Sequence, residues 1–276
     1  MGIYLRQIIV LTAIILSTVS YAQKPKIGLV LGGGGAKGAA TIGALKVIER
    51  AGVKIDYIAG TSIGAIIGGL YASGYSLNEL ETLFLSQEWQ DILENHRVYT
   101  KLKSLFHNRG ITKFSDTRIP FRCVATERRS LDEVDISSGD IVKAVRASMS
   151  IPELYEPVSW NGIELVDGGL VNNLPVDVVI DMGADIVIAI DLKQKEGFSL
   201  GLSIGVGGLI DWALSRPDVS KYQMYLEDID IHIHPVLPDF TAMSFGHDNC
   251  KLMIQLGEEE AQKHWNELKK IRDRQH

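Results

Sequence analysis

The chain has 276 residues, with 28 Lys and Arg against 34 Asp and Glu, and a net charge of −6. That acidic balance argues against nucleic acid as the main partner, while 46% apolar and 22% charged residues make a globular composition with ample material for a core. The two cysteines, Cys123 and Cys250, lie far apart and suggest neither a disulfide framework nor a zinc site.

The first 22 residues read as a separate segment. Arg6 supplies a minimal positive charge, and residues 8–19 form an apolar run shorter than the roughly 20 residues a membrane span needs. Ser20-Tyr21-Ala22 then places small residues at the −3 and −1 positions of a signal-peptidase site, so residues 1–22 are predicted to be a signal peptide. Gln23 is the predicted mature start, residues 23–276 the predicted domain, and the chain is predicted to be exported.

Residues 26–31 (KIGLVL) are a β-rich run, followed at once by Gly32-Gly33-Gly34-Gly35. Residues 36–50 carry an apolar face at helical spacing, and Gly52 is placed to end that helix. An apolar run, Tyr57-Ile58-Ala59, leads into Gly60-Thr61-Ser62-Ile63-Gly64 and a helix-like stretch over 65–72. Ser76 and Glu79 form a capping-box pair opening a helix over 77–86. Residues 88–118 have no clear periodicity and receive no assignment. A buried strand over 121–126, with Cys123 in it, turns through charged residues and pairs back at 133–136. Asp140 caps a helix to Ser148 that Pro152 stops. Strands at 157–159 and 163–166 flank Asn161-Gly162, a strong short hairpin signal, and Asp167-Gly168-Gly169 follows. A helix is predicted over 176–182, a core strand over 185–190, a core-docked segment over 198–214 and one C-terminal helix over 243–271. Strands alternate with helices, and the strands are continuously apolar. That pattern predicts an α/β fold with a mostly parallel sheet covered on both faces.

A serine flanked by glycines two residues away on each side, between strand and helix, fits a nucleophile elbow. The glycine run answers the need for an oxyanion hole, because glycines at a helix start present backbone N–H groups without obstruction. A dinucleotide fingerprint, Gly33-x-Gly35-x-x-Gly38, competes, but the acidic residue that should close the second strand is replaced by Gly60-Thr61-Ser62. A Walker loop fails because Lys37 is followed by Gly38. The base is harder to find. None of the seven histidines lies in a triad-like stretch. His232 and His234 share a strand face, but no carboxylate or third histidine has matching spacing, so partly buried histidines are the preferred reading over a metal site. Asp167, released from a strand into a glycine turn, is the better candidate for a base.

Together GGGAKG at 33–38, GTSIG at 60–64 and DGG at 167–169 resemble the patatin-like phospholipases, as do VRASMSIP at 145–152 and NNLPVDV at 172–178. The resemblance implies a three-layer α/β/α sandwich and hydrolysis of lipid acyl esters by a Ser-Asp dyad. It implies Ser62 as nucleophile and Asp167 as general base. It makes Gly33, Gly34, Gly35, Ala36, Lys37 and Gly38 the oxyanion loop, with Gly60, Thr61, Ile63 and Gly64 completing the elbow and Gly168 and Gly169 the third motif. An aspartate base implies an acid limb at the carboxyl pKa and no step near 6.5. The implied mechanism needs no metal or cofactor, and the implied partner is a lipid met at a membrane surface. Lys37 is open to two roles, contact with a lipid phosphate or a solvated lysine. With the leader, the resemblance is to bacterial exported members, periplasmic, outer-membrane-associated or secreted. The competing class is a non-catalytic lipid- or nucleotide-binding module on the same fold, which an intact Ser62 and Asp167 argue against.

Overall fold

A computed structural model describes residues 24–87, 89, 97–194 and 219–276. The expected leader and the expected segment over 198–214 lie outside the described residues.

Five parallel strands form the centre of the sheet: β1 (Ile27–Leu31), β2 (Tyr57–Thr61), β3 (Phe121–Glu127), β7 (Ile186–Ile190) and β8 (Ile231–Ile233). Every residue of β1 and β7 is buried, which is why both read as unbroken apolar runs. Side chains alternate across the sheet. Ile27, Leu29 and Leu31 join the larger core cluster, and Val30 joins a second cluster with Val176, Val179 and Tyr225. Helices therefore cover both faces, giving three α/β/α layers.

On one face lie α1 (Gly38–Ala51), α2 (Ile63–Ala72) and α3 (Leu77–Leu85); α4 (Val98–Asn108) and α5 (Ile141–Ser148) continue that layer. The short α6 (Val176–Asp181) and α7 (Val219–Glu227) contribute to the other. The capping box at Ser76 and Glu79 forms at the start of α3, and Asp140 accepts from Lys143 N–H at the start of α5. Residues without an assignment yield α4, whose only buried side chains are Val98, Leu102 and Phe106. They recur at every fourth residue, a stripe too thin to stand out among the charges. The single C-terminal helix expected over 243–271 is two, α8 (His247–Lys263) and α9 (Trp265–Gln275). The chain leaves helical geometry at His264 (φ −92°, ψ 11°), where no proline or glycine marks the break.

The antiparallel strands decide where the site falls. Along β3, Val124 pairs with Thr61 of β2 and with Asp135 of β4 (Glu133–Ile136). The next residue, Ala125, pairs with Val134 of β4 and with Asp167 of β6 (Ile163–Asp167). So β4 takes one edge of β3, while β2 and β6 lie end to end along the other. Asp167 therefore arrives where β2 runs out at Ser62. The hairpin partner of β6 is β5 (Val158–Trp160), joined through Asn161 and Gly162, both at positive φ.

Candidate active site

Ser62 leaves β2 with φ 55° and ψ −121°, a conformation costing a non-glycine residue about 1–3 kcal/mol, and α2 starts at the next residue. The turn is tight enough to forbid side chains on either flank. A Cβ on Gly60 would come within 2.5 Å of Gly64 O, and one on Gly64 within 2.1 Å of Leu31 O. The strain is held by hydrogen bonds. Ser62 N–H donates to Ser148 Oγ at 2.9 Å, and Ser148 Oγ donates to Val124 O at 2.6 Å. Thr61 Oγ1 donates to Asn172 O at 2.9 Å.

Ser62 Oγ donates to Asp167 Oδ2 at 2.7 Å, and both side chains are buried. The other carboxylate oxygen, Oδ1, accepts from Gly169 N–H at 2.8 Å. Gly168 between them has no room for a side chain, since a Cβ there would lie 2.2 Å from Val124 O. Asp167 has 0% exposure, and burial pushes its carboxyl up to about 7 against the pull of the Gly169 N–H and the Ser62 hydroxyl. The acid limb expected at an ordinary carboxyl pKa therefore moves into the range where a histidine titrates. A pH profile alone no longer separates the two.

The glycine loop follows β1, and its six N–H groups are not equivalent. Gly33 N–H donates to Asn173 O at 3.1 Å, Ala36 N–H to Ala242 O at 2.8 Å and Lys37 N–H to Gly34 O at 3.2 Å. Gly38 N–H is held by Gly35 O and Ala36 O. Among the described residues, the N–H groups of Gly34 and Gly35 are the two in this loop without an acceptor. The loop borders the serine, because a Cβ on Gly33 would lie 3.2 Å from Ser62 Cβ. Gly35, at φ 58°, is pressed against Ala242 O, which a Cβ would approach to 2.3 Å. Lys37 is buried rather than solvated.

Three supports were not among the expected site residues. Ser148 anchors the elbow, Ala242 holds the glycine loop from the far end of the chain, and Asn173 grips Gly33 twice, through its carbonyl and through Nδ2 to Gly33 O at 3.2 Å. The two asparagines and Ser148 lie in stretches singled out only for their resemblance to a family. Among the described residues no histidine hydrogen-bonds to Ser62 or Asp167. His247 meets Leu85 O and His264 meets Glu267. His232 lies against Asp191, a carboxylate that spacing along the sequence had not offered.

Comparison with known proteins extends this picture. Residues 29–180 match the patatin-like phospholipase family, more than half of the chain. The chain belongs to the patatin-like phospholipase family, and with it to the lipid ester hydrolases. Lysophospholipase NTE1 of Yarrowia lipolytica is 40% identical over 180 residues, covering 60% of this chain and 12% of that protein. Lysophospholipase nte1 of Emericella nidulans is 33% identical over 260 residues, covering 80% of this chain and 17% of that protein. The chain thus matches a small fraction of these relatives' length. The crystal structure of VipD from Legionella pneumophila shares the fold at a TM-score of 0.56, with 13% identity, over 89% of this chain and 67% of that one. The bacterial, exported placement expected from the leader and the resemblance together is corrected by the sequence relatives. They are lysophospholipases of eukaryotes, not of bacteria.

Proposed function

We propose that the chain hydrolyses fatty-acyl esters of phospholipids through a Ser62–Asp167 dyad, with lysophospholipids the first substrates to try. The observation that carries this reading is the 2.7 Å hydrogen bond from Ser62 Oγ to Asp167 Oδ2 at the end of a glycine-flanked turn. The substrate class is supported by the lysophospholipases among the relatives.

In the reaction, Asp167 Oδ2 takes the Ser62 proton as Oγ attacks the ester carbonyl carbon. The carbonyl oxygen becomes an oxyanion, which the Gly34 and Gly35 N–H groups stabilise, each donor contributing about 3 kcal/mol. The intermediate collapses to an acyl-serine, and the departing alkoxide takes the proton from Asp167. Water then attacks the acyl carbon while Asp167 accepts its proton, and that proton returns to Ser62 Oγ as the fatty acid leaves. A carboxyl raised to about 7 suits both roles, since the ideal base titrates near the working pH. The Gly169 N–H holds Oδ1, which leaves Oδ2 facing the serine. Each proton moves between groups of this chain, the ester and water, so no step calls for a metal or cofactor. The substrate is a lipid, offered at a membrane surface. We read residues 23–276 as one domain, supported by the continuity of the sheet and by α8, whose Cys250, Met253 and Ile254 join the same core as β1.

The test is a panel of lysophospholipids, diacyl phospholipids, triacylglycerols and p-nitrophenyl esters, run beside Ser62→Ala. Turnover of acyl esters that vanishes in the variant is expected. Turnover undiminished in Ser62→Ala, or no turnover of any ester by folded protein, would overturn the reading.

A further inference from the structure

We propose that Asp191, His232 and His234 form a binding site for a first-row transition-metal dication, zinc being the first to try. The strands bring the three together. In the β7–β8 ladder Ala189 lies opposite His232 and Ile190 opposite Ile233. Side chains two residues apart share a face, so Asp191 and His234, just past the paired ends, continue the face that His232 occupies. One ligand atom from each of the three lies within 4.8 Å of the others. Tetrahedral zinc sets its ligand atoms ~3.3 Å apart, so small ring rotations would bring three donors into place and leave a fourth position for water. Two imidazoles and one carboxylate suit zinc, cobalt or nickel better than magnesium or calcium, which take oxygen ligands.

The surroundings already hold these side chains the way ligands are held. His234 Nε2 meets Lys193 O, which orients that ring and, among the described residues, leaves its Nδ1 without a hydrogen bond. Asp191 is 1% exposed; its Oδ1 accepts from Lys193 N–H at 2.9 Å, and its Oδ2 meets the Tyr222 hydroxyl and His232 Nε2, the latter at 3.1 Å. An ion bound by His232 Nε2 and Asp191 would replace the proton those two atoms now share. The His232 side chain is 31% exposed, giving an ion a way in. The Lys193 ammonium, 4.2 Å from the Tyr222 ring centre, is the nearby cation working against binding. This proposal is independent of the ester chemistry. It does border the glycine loop, because Gly32 N–H donates to Ile190 O and Leu192 Cβ lies 3.0 Å from where a Gly34 Cβ would be.

The full chain, freed of metal by chelation, is titrated with zinc by calorimetry and with cobalt by visible absorption. One equivalent is expected to bind, with cobalt giving a four-coordinate d–d spectrum that zinc abolishes. His232→Gln and His234→Gln should each weaken binding about 100-fold, and Tyr222→Phe about tenfold. Should a variant not fold, imidazole nitrogen NMR of the unaltered protein decides: zinc should shift two of the histidines and leave the others. No binding by the folded protein, shifts confined to other histidines, or binding undiminished in both glutamine variants would overturn the proposal.

Discussion

Two aspartates stand at strand ends of the same sheet, Asp167 as the last residue of β6 and Asp191 just past β7, and both are out of solvent, at 0% and 1% exposure. Burial pushes each carboxyl upward, yet they finish in opposite places. Asp167 has two neutral donors, the Gly169 N–H and the Ser62 hydroxyl, and burial wins, lifting it to about 7. Asp191 has burial outweighed by His232, Tyr222, the nearby His234 and the Lys193 N–H, and it is held below the usual carboxylate range. Depth alone does not decide ionisation; the number and charge of the donors do. One aspartate is poised to take and release a proton near neutrality. The other is an anion fixed in a network.

The largest effect that bears on this contrast is at the serine. Ser62→Ala should lower kcat/KM for acyl esters by at least about 10³-fold, because it removes the nucleophile. Steady-state rates on p-nitrophenyl esters measure it.

Asp167→Asn should follow, losing about 10²–10⁴-fold, mainly in kcat. The same variant should gain stability. The folded carboxyl titrates at about 7 and the unfolded one near 3.8, so the folded state holds the proton across that window and stability falls as pH rises through it. Asparagine cannot ionise, so urea unfolding at pH 8 should show a gain of up to about 4 kcal/mol that shrinks toward pH 4.

Asp191→Asn should do the reverse. Its folded value lies below the unfolded one, so its contribution is present above the unfolded pKa and lost as pH falls through the folded value. Unfolding at pH 7 in chelator should show a loss of about 2–4 kcal/mol. Equal signs for the two variants would show that donors do not separate the two carboxyls.

The smallest effect expected is at Ser148. Ser148→Ala leaves the Ser62 N–H buried without an acceptor, a cost of about 1–3 kcal/mol in urea unfolding. Activity should fall less than for Asp167→Asn, since both members of the dyad remain.

What was legible in the sequence is what neighbours along the chain determine. The unbroken runs of β1 and β7, the capping box before α3, the Asn161-Gly162 hairpin and the glycine spacing around Ser62 are all local, and all appear as expected. The meeting of Ser62 with Asp167 is not local. It depends on β2 and β6 sharing one edge of β3, a pairing across more than a hundred residues that no spacing rule encodes. The glycine spacing singled out Ser62 and the strand-to-glycine turn offered Asp167, and the resemblance of motifs joined the two as a dyad. Asp191 was missed beside the two histidines for the same reason, as was Ala242 holding Ala36. The break at His264 also had no mark in the residues around it.

Covalent labelling of Ser62 reads whether Asp167 is its base. The rate of Ser62 phosphonylation by an active-site phosphonate, followed by intact mass against pH, reads the nucleophile alone. In the unaltered protein it should rise about tenfold per pH unit below about 7 and level off above, following ionisation of Asp167. In Asp167→Asn it should be slow and flat across the same range. An Asp167→Asn protein that labels at the unaltered rate, with the same midpoint near 7, would show that another group supplies the base.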